Sequence, residues 1–332
     1  MTELDTWEWF GNRTFHYSQF EPLAKLRAAR ERAGVTISVC LPARNEAATI
    51  GPIVRVLRRA LVERSRLVDE LVVIDGGSED DTMKIAEAEG AAVYRELDVL
   101  PELGSVTGKG EGLWKSLYVC HGDLVCWIDA DIRNIHPRFV YGLLGPLLDD
   151  PGIVYVKAFY ERPLQERRTL QATGGGRVTE LVARPLLNLF WPELAGFVQP
   201  LSGEYAGRRE VLEQIPMLSG YGVELGLLID IARHSGVNAM AQVDLERRVH
   251  RNQDVQALSR MSFGIIQAAL SRLVDEGKVA PESWSTTLLQ FANRLREYNI
   301  EPREIAIAQR PPMATVDSYR QRRSALAAGS SA

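Results

Sequence analysis

Three short polar clusters hold the residues most able to do chemistry: Pro42-Ala43-Arg44-Asn45-Glu46, Asp75-Gly76-Gly77-Ser78 and Asp129-Ala130-Asp131. Each directly follows a short apolar run that reads as a strand. Taken singly, an acidic residue after a strand is as often a turn former or a helix cap as a ligand. Ligands of an open parallel sheet, however, bind outside the carboxyl ends of its strands, so three such clusters on one sheet point to one crevice. Asp129 and Asp131 are two apart and share a face wherever the chain stays extended. Such a pair suits a hard divalent cation, Mg2+ or Mn2+, that bridges carboxylates to the oxygens of a diphosphate. A sugar nucleotide carries that diphosphate. Asp75 can accept hydrogen bonds from a ribose or a base edge, and Gly76 and Gly77 allow close backbone approach.

Further candidates lie along the chain. Gly108-Lys109-Gly110-Glu111 opens a helix, and a lysine at a helix N-terminus suits an anion. It is not a phosphate-binding GxxxxGK[ST] loop. The plainer alternative is a solvated first-turn lysine. Only six of the 39 basic residues are lysines. Glu224 begins another helix, where an acid also serves the helix dipole. His250 follows a strand between Arg248 and Arg251, and a histidine there can be structural or a metal ligand.

The elements that position these groups alternate. Strands are expected at 35–41, 70–74, 91–95 and 124–128, separated by helices at 47–61, 80–89 and 109–120. This spacing means βαβ units and a Rossmann-like, mostly parallel sheet flanked by helices, an α/β fold. Beyond His136 helices are expected at 138–148, 176–190, 221–234, 255–274 and 284–298, with strands at 153–160 and 237–245. Residues from about 318 read as a frayed tail. Residues 1–34 form an aromatic arm, with Trp7, Trp9, Phe10, Phe15, Tyr17 and Phe20, that packs on the body or on a partner subunit. The division that results is the arm at 1–34, a nucleotide half at 35–135, an acceptor half at 136–253 and a helical C-terminal extension at 254–332.

Composition narrows the class. The chain has 332 residues, 45% hydrophobic and 25% charged, which is ordinary for a globular protein. No apolar run reaches the length of a membrane span, and the start lacks the features of a signal peptide, so a cytoplasmic location without membrane association is expected. A net charge of −4 does not suggest a nucleic-acid partner. Three cysteines without CxxC spacing read as buried thiols rather than disulfides or a zinc site.

The first-strand cluster, the DGGSEDDT segment and the DxD resemble the GT-A glycosyltransferases. The second half narrows the resemblance. Thr173–Pro185, Gln199-Pro200-Leu201-Ser202-Gly203-Glu204-Tyr205, Gly220-Tyr221-Gly222-Val223-Glu224 and His250-Arg251-Asn252 resemble the actinobacterial glucosyl-3-phosphoglycerate synthases, a family with mannosyl relatives. The resemblance covers about 36–252.

It implies a retaining enzyme that moves glucose or mannose from a UDP- or GDP-linked donor to the 2-hydroxyl of D-3-phosphoglycerate. Pro42, Ala43, Arg44, Glu46, Asp75, Gly76, Lys109, Asp129, Ala130 and Asp131 then contact the nucleotide. Asp131 and His250 hold Mg2+ or Mn2+. Gly176, Arg177, Val178, Thr179, Tyr221 and Asn252 contact the acceptor, with Arg248 placed beside them. Lys109, Asp131, the Leu201 carbonyl and Glu224 form the catalytic set. Arg44 stands where relatives carry Leu and Gly76 where they carry Ser, which widens the expected donor range. A homodimer is expected. Other readings are a related transferase acting on another small acid or a lipid phosphate, a sugar nucleotidylyltransferase, and a nucleotide-sugar sensor without turnover. PARNEAATI lacks the glycine-rich loop of the nucleotidylyltransferases, and no apolar segment favours a lipid acceptor.

Overall fold

The computed structural model describes residues 3–106, 108–162, 164–166, 169–171, 176–249, 254–294 and 297–329. Eight strands build the main sheet: β1 (Thr14–His16), β2 (Ile37–Ala43), β3 (Glu70–Asp75), β4 (Ala92–Arg95), β5 (Leu124–Trp127), β6 (Tyr155–Glu161), β7 (Tyr205–Arg208) and β8 (Met240–Arg247). Their order across the sheet is β1-β8-β6-β7-β5-β2-β3-β4. Only β7 runs antiparallel to its neighbours, β5 and β6. The expected parallel run β5-β2-β3-β4 is present, so its carboxyl ends share one rim.

Strand β2 reads ISVCLPA because both of its faces are covered, the signature of a parallel strand inside an α/β sheet. Alternate residues go to opposite faces. Val39 and Leu41 join a core with Ile53, Val54, Phe139 and Leu144. Cys40 joins the other core, with Trp114, Leu117, Leu228 and Ile229. All three cysteines are buried free thiols, and burial pushes the Cys126 thiol well above its ordinary value.

Several sequence expectations need correction. Among its described residues the stretch 284–298 holds no helix. Thr287–Arg294 and Glu297–Glu304 are strands of an antiparallel ribbon. The physical reason is a period of two: Gln290 is buried, whereas Leu289 and Phe291 face outward at 55% and 58% exposure. Gln290 Nε2 donates to Gln256 O at 2.9 Å, and its Oε1 accepts from Arg260 at 2.9 Å, which fastens the ribbon to helix Val255–Asp275. The extension is therefore only partly helical. Its end is a helix, Asp317–Gly329, rather than a frayed tail, and Tyr319 anchors it by donating to Glu213 at 2.6 Å.

The aromatic arm packs on its own body, with Trp9 and Phe20 buried. It is also more than an arm, because β1 extends the sheet by pairing parallel to β8. Strand β7 was not foreseen. YAGR is short and carries two small residues, and only its antiparallel partners on both sides make it a strand. Among the described residues no helix is long and apolar enough to cross a membrane.

Candidate active site

Hydrogen bonds sew the loops after β2 and β3 together. Asn45 turns the chain with φ +57°. Its N–H donates to Ser78 Oγ at 2.8 Å, and its Oδ1 accepts from Glu79 N–H at 2.8 Å. Glu46 N–H donates to Thr82 Oγ1 at 2.8 Å. Thr49 Oγ1 donates to the Ala130 carbonyl at 2.6 Å, which ties in the Asp129–Asp131 turn. Gly76 N–H donates to Ala43 O at 2.9 Å, which brings that pair of expected nucleotide contacts together beside exposed Arg44. Asp75 Oδ1 accepts from the N–H groups of Gly77 and Ser78 at 3.0 and 2.8 Å. Its Oδ2 is buried and, among the described residues, finds no hydrogen-bond donor, so it is an acceptor that a ligand donor can satisfy.

The DxD acids sit in a dense ion cluster. Lys109 Nζ lies 2.5 Å from Asp129 Oδ1 and 2.9 Å from Glu224 Oε1. Arg248 Nη2 reaches Asp129 Oδ2 at 2.9 Å and Asp131 Oδ1 at 2.6 Å, and its Nε lies 3.1 Å from Glu204 Oε1. Tyr160 donates to Glu204 Oε2, and Arg162 donates to Tyr160 Oη at 3.0 Å. Burial alone would push the Asp129 carboxyl up, but Lys109 and Arg248 outweigh it and hold the group far below the carboxylate range. Burial would pull Lys109 down, and Asp129 with Glu224 raise it above an ordinary lysine. Burial raises the Glu204 carboxyl despite Arg248.

Local packing explains the placement of Lys109. Its helix, Lys109–Val119, starts after Gly108, at φ +135°, and Gly110 N–H donates to Ser219 O at 2.8 Å. A Cβ on Gly110 would lie 1.7 Å from the Leu218 carbonyl oxygen, so only glycine lets the helix start press on that strand. Glu111, fully buried in the first turn, is clamped by Arg310 at 2.6 Å and Lys115 at 3.3 Å. Glu224 stands in the first turn of helix Val223–Ser235 and meets Lys109 across the gap.

The Leu201 turn backs onto the same acids. A Cβ on Gly203 would lie 2.0 Å from Asp129 Oδ2, so glycine is required there too. Lys157, wholly buried on β6, donates to the Ser202 carbonyl at 3.0 Å. Burial pulls its amine down to about 7. Leu201 is partly buried at the tip of this turn. Tyr221 is 45% exposed just before the helix of Glu224. Gly176, with φ +83°, Arg177, Val178 and Thr179 begin another helical segment. The Val178 and Thr179 side chains turn into the interior, and Arg177 and Glu180 are exposed on either side of them. His250 and Asn252 lie outside the described residues.

An open cleft of about 760 Å³ borders the cluster, lined by Glu46, Thr49, Asp131, Arg133 and Asp254 among others. The donor set suits a hard cation: carboxylate oxygens of Asp131 and Asp129, one of them facing the cleft. The free protein neutralises its own buried charges. A cation and a diphosphate entering together bring both signs, so carboxylates and bases can exchange partners without leaving a buried charge alone. Sequence reasoning missed Glu204, Tyr160, Arg162, Lys157 and Gly203 as members of this cluster.

Residues 38–215 match glycosyl transferase family 2. The glucosyl-3-phosphoglycerate synthase of Petrotoga mobilis is 50% identical over 311 residues, 93% of this chain and 96% of that protein. The crystal structure of mannosyl-3-phosphoglycerate synthase from Rubrobacter xylanophilus superposes with a TM-score of 0.85 at 42% identity, covering 93% of this chain and 97% of that one. That of Mycobacterium tuberculosis glucosyl-3-phosphoglycerate synthase, in complex with Mn2+, UDP-glucose and phosphoglyceric acid, gives 0.76 at 46% identity over 88% and 94%. A GT-A sheet whose parallel strand ends gather Asp75, Lys109, Asp129 and Asp131, together with this likeness along nearly the whole chain, makes the protein a member of glycosyl transferase family 2, in the group of the glucosyl-3-phosphoglycerate synthases.

Proposed function

We propose that this protein transfers a hexose, glucose or mannose, from a UDP- or GDP-linked donor to the 2-hydroxyl of D-3-phosphoglycerate with retention at the anomeric carbon. The observation that carries the reading is the Lys109–Asp129–Arg248–Asp131 cluster just past the carboxyl end of β5, on the rim where β3 ends in Asp75, whose buried Oδ2 lacks a hydrogen-bond partner among the described residues.

Pro42, Ala43, Arg44, Glu46 and Gly76 surround the nucleoside, and Asp75 accepts from its ribose or base. Mg2+ or Mn2+, held by Asp131 with His250, supplies Lewis-acid neutralisation of the diphosphate. Lys109 leaves its carboxylate partners to stabilise the same charge as it develops on the leaving group. The bond from the anomeric carbon to the diphosphate oxygen breaks through an oxocarbenium-like state, and the bond to the acceptor oxygen forms on the same face. The acceptor proton passes to the departing diphosphate oxygen. Glu224 is tied to Lys109 at 2.9 Å, which suits it to receive a sugar hydroxyl rather than to attack. The Leu201 carbonyl orients the acceptor hydroxyl. Arg177, Tyr221 and Asn252 hold the acceptor anion, and Arg248 keeps both DxD acids in register. The protein works as a cytoplasmic homodimer, a reading supported by the exposed Leu181, Leu189, Phe291 and Ile300.

The test is a donor panel, UDP- and GDP-linked glucose and mannose, against D-3-phosphoglycerate. Transfer is expected with Mg2+ or Mn2+ and none in chelator. Asp131→Ala is expected to keep the fold and lose transfer by roughly a thousandfold or more, the scale of a lost Lewis-acid contact. Full activity of that variant in chelator contradicts the site.

A further inference from the structure

Beside the Asp75–Gly76 loop lies a carboxylate, Glu96, that the reaction above does not use. Glu96 follows β4 directly, one residue past Arg95, the register partner of Asp75. It is 9% exposed. Its backbone carbonyl is held by Lys115 Nζ at 2.9 Å, and Ser105 donates to its Oε1 at 3.3 Å. The other oxygen, Oε2, faces two glycines, of which Gly112 is buried and Gly76 is partly exposed, so the missing Gly76 side chain leaves an atom-sized gap beside it. A Cβ on Gly76 would lie 3.7 Å from it and one on Gly112 would lie 3.4 Å from it. The Gly76 position lies against the Ala43 carbonyl and Arg44 Cβ, and the Gly112 position against Pro42 Cβ. Burial and the neighbouring Glu111 push the Glu96 carboxyl up to about 7 against the pull of Lys115 and Arg44. A carboxylate so placed gains from an incoming N–H donor.

The two bases differ in what they offer. Uracil has one ring N–H between two carbonyls. Guanine has a ring N–H and, beside it, an exocyclic amine. The open Oδ2 of Asp75 can take the ring N–H of either base. Only guanine has a second donor for an oxygen further along the edge, and a uracil carbonyl there meets like partial charge.

We propose that Glu96, reached through the gap at Gly76, is a specificity-determining residue that accepts the exocyclic amine of guanine and extends donor use to guanosine-linked sugars. This rests on the donor site described under Proposed function. Two independent variants test it. Glu96→Ala removes the acceptor. Gly76→Ser plugs the gap and leaves Glu96 in place, so it decides the matter even where Glu96→Ala fails to fold. The readouts are kcat/KM with UDP-glucose and GDP-glucose, and calorimetric binding of UDP and GDP with Mn2+. In each folded variant the GDP-to-UDP ratio is expected to fall at least about tenfold, the scale of one lost base-edge contact. Ratios within about twofold of wild type in Gly76→Ser and in folded Glu96→Ala, or a wild type that discriminates against guanosine donors by about a thousandfold, overturn the assignment. Wild type that transfers from neither donor overturns the parent reading instead, and the calorimetric ratio still judges Glu96.

Discussion

At the residue scale, the site depends on absent side chains as much as on present ones. Gly203 leaves room for Asp129, which the Lys109 and Arg248 contacts fix in one rotamer. Gly203→Ala is therefore expected to displace the acid and cut kcat by about a hundredfold, the scale of a misplaced electrostatic group. Steady-state kinetics with a circular-dichroism control measures this, and wild-type kcat contradicts it. The acceptor end makes a separate demand. A net-acidic chain that binds a doubly anionic acceptor needs a local cation, and Arg177 is an exposed base at the start of its helical segment. Arg177→Lys loses the planar fork that grips phosphate or carboxylate bidentately. The acceptor KM is expected to rise about tenfold or more while the donor KM stays put. Calorimetry showing wild-type affinity of Arg177→Ala for 3-phosphoglycerate places the anion elsewhere. Asp75, Asp129, Asp131, Lys109 and Glu224 could be read from sequence because each stands at a strand end or a helix start. Glu204, Lys157 and Glu96 could not, because their roles arise from strands that meet only in the folded sheet.

At the element scale, the sharpest constraint is the start of helix Lys109–Val119. Glu111 is fully buried there, and Arg310, almost 200 residues later in the chain, bonds it through Nε at 2.7 Å and Nη2 at 2.6 Å. Arg310 also donates to the carbonyls of Leu103 and Gly104 at 2.9 and 3.0 Å. The C-terminal segment thus locks the helix that presents Lys109. Arg310→Met leaves Glu111 with Lys115 alone. The expected cost is about 3 kcal/mol, as for a broken buried ion pair, read from urea unfolding with intrinsic fluorescence. A cost under about 0.5 kcal/mol, the size of a surface effect, contradicts this role. The same region marks where sequence reading failed. Residues 284–298 mix helix-forming Leu, Gln, Glu and Arg with strand-forming Thr, Phe and Tyr. The outcome is set by Gln290 docking on the helix Val255–Asp275, a tertiary contact that no local pattern contains. The alternating first half was legible because buried parallel strands and their crossover helices write different periods into the chain.

At the scale of the whole molecule, one sheet and the helices that start at its rim position the proposed site. The sheet's parallel half presents the nucleotide groups, and the antiparallel β7 reverses the chain so that PLSGE meets the DxD from the far side. In the proposed reaction the acceptor comes in over the face that the diphosphate leaves, and the configuration at the anomeric carbon is retained. The central claim is tested most directly by proton NMR of the product made from UDP-glucose, D-3-phosphoglycerate and Mg2+. The expected product carries an α-linked glucose on the 2-oxygen of 3-phosphoglycerate, the configuration of the donor. A β-linked product, or release of free glucose and UDP with 3-phosphoglycerate untouched, contradicts the account.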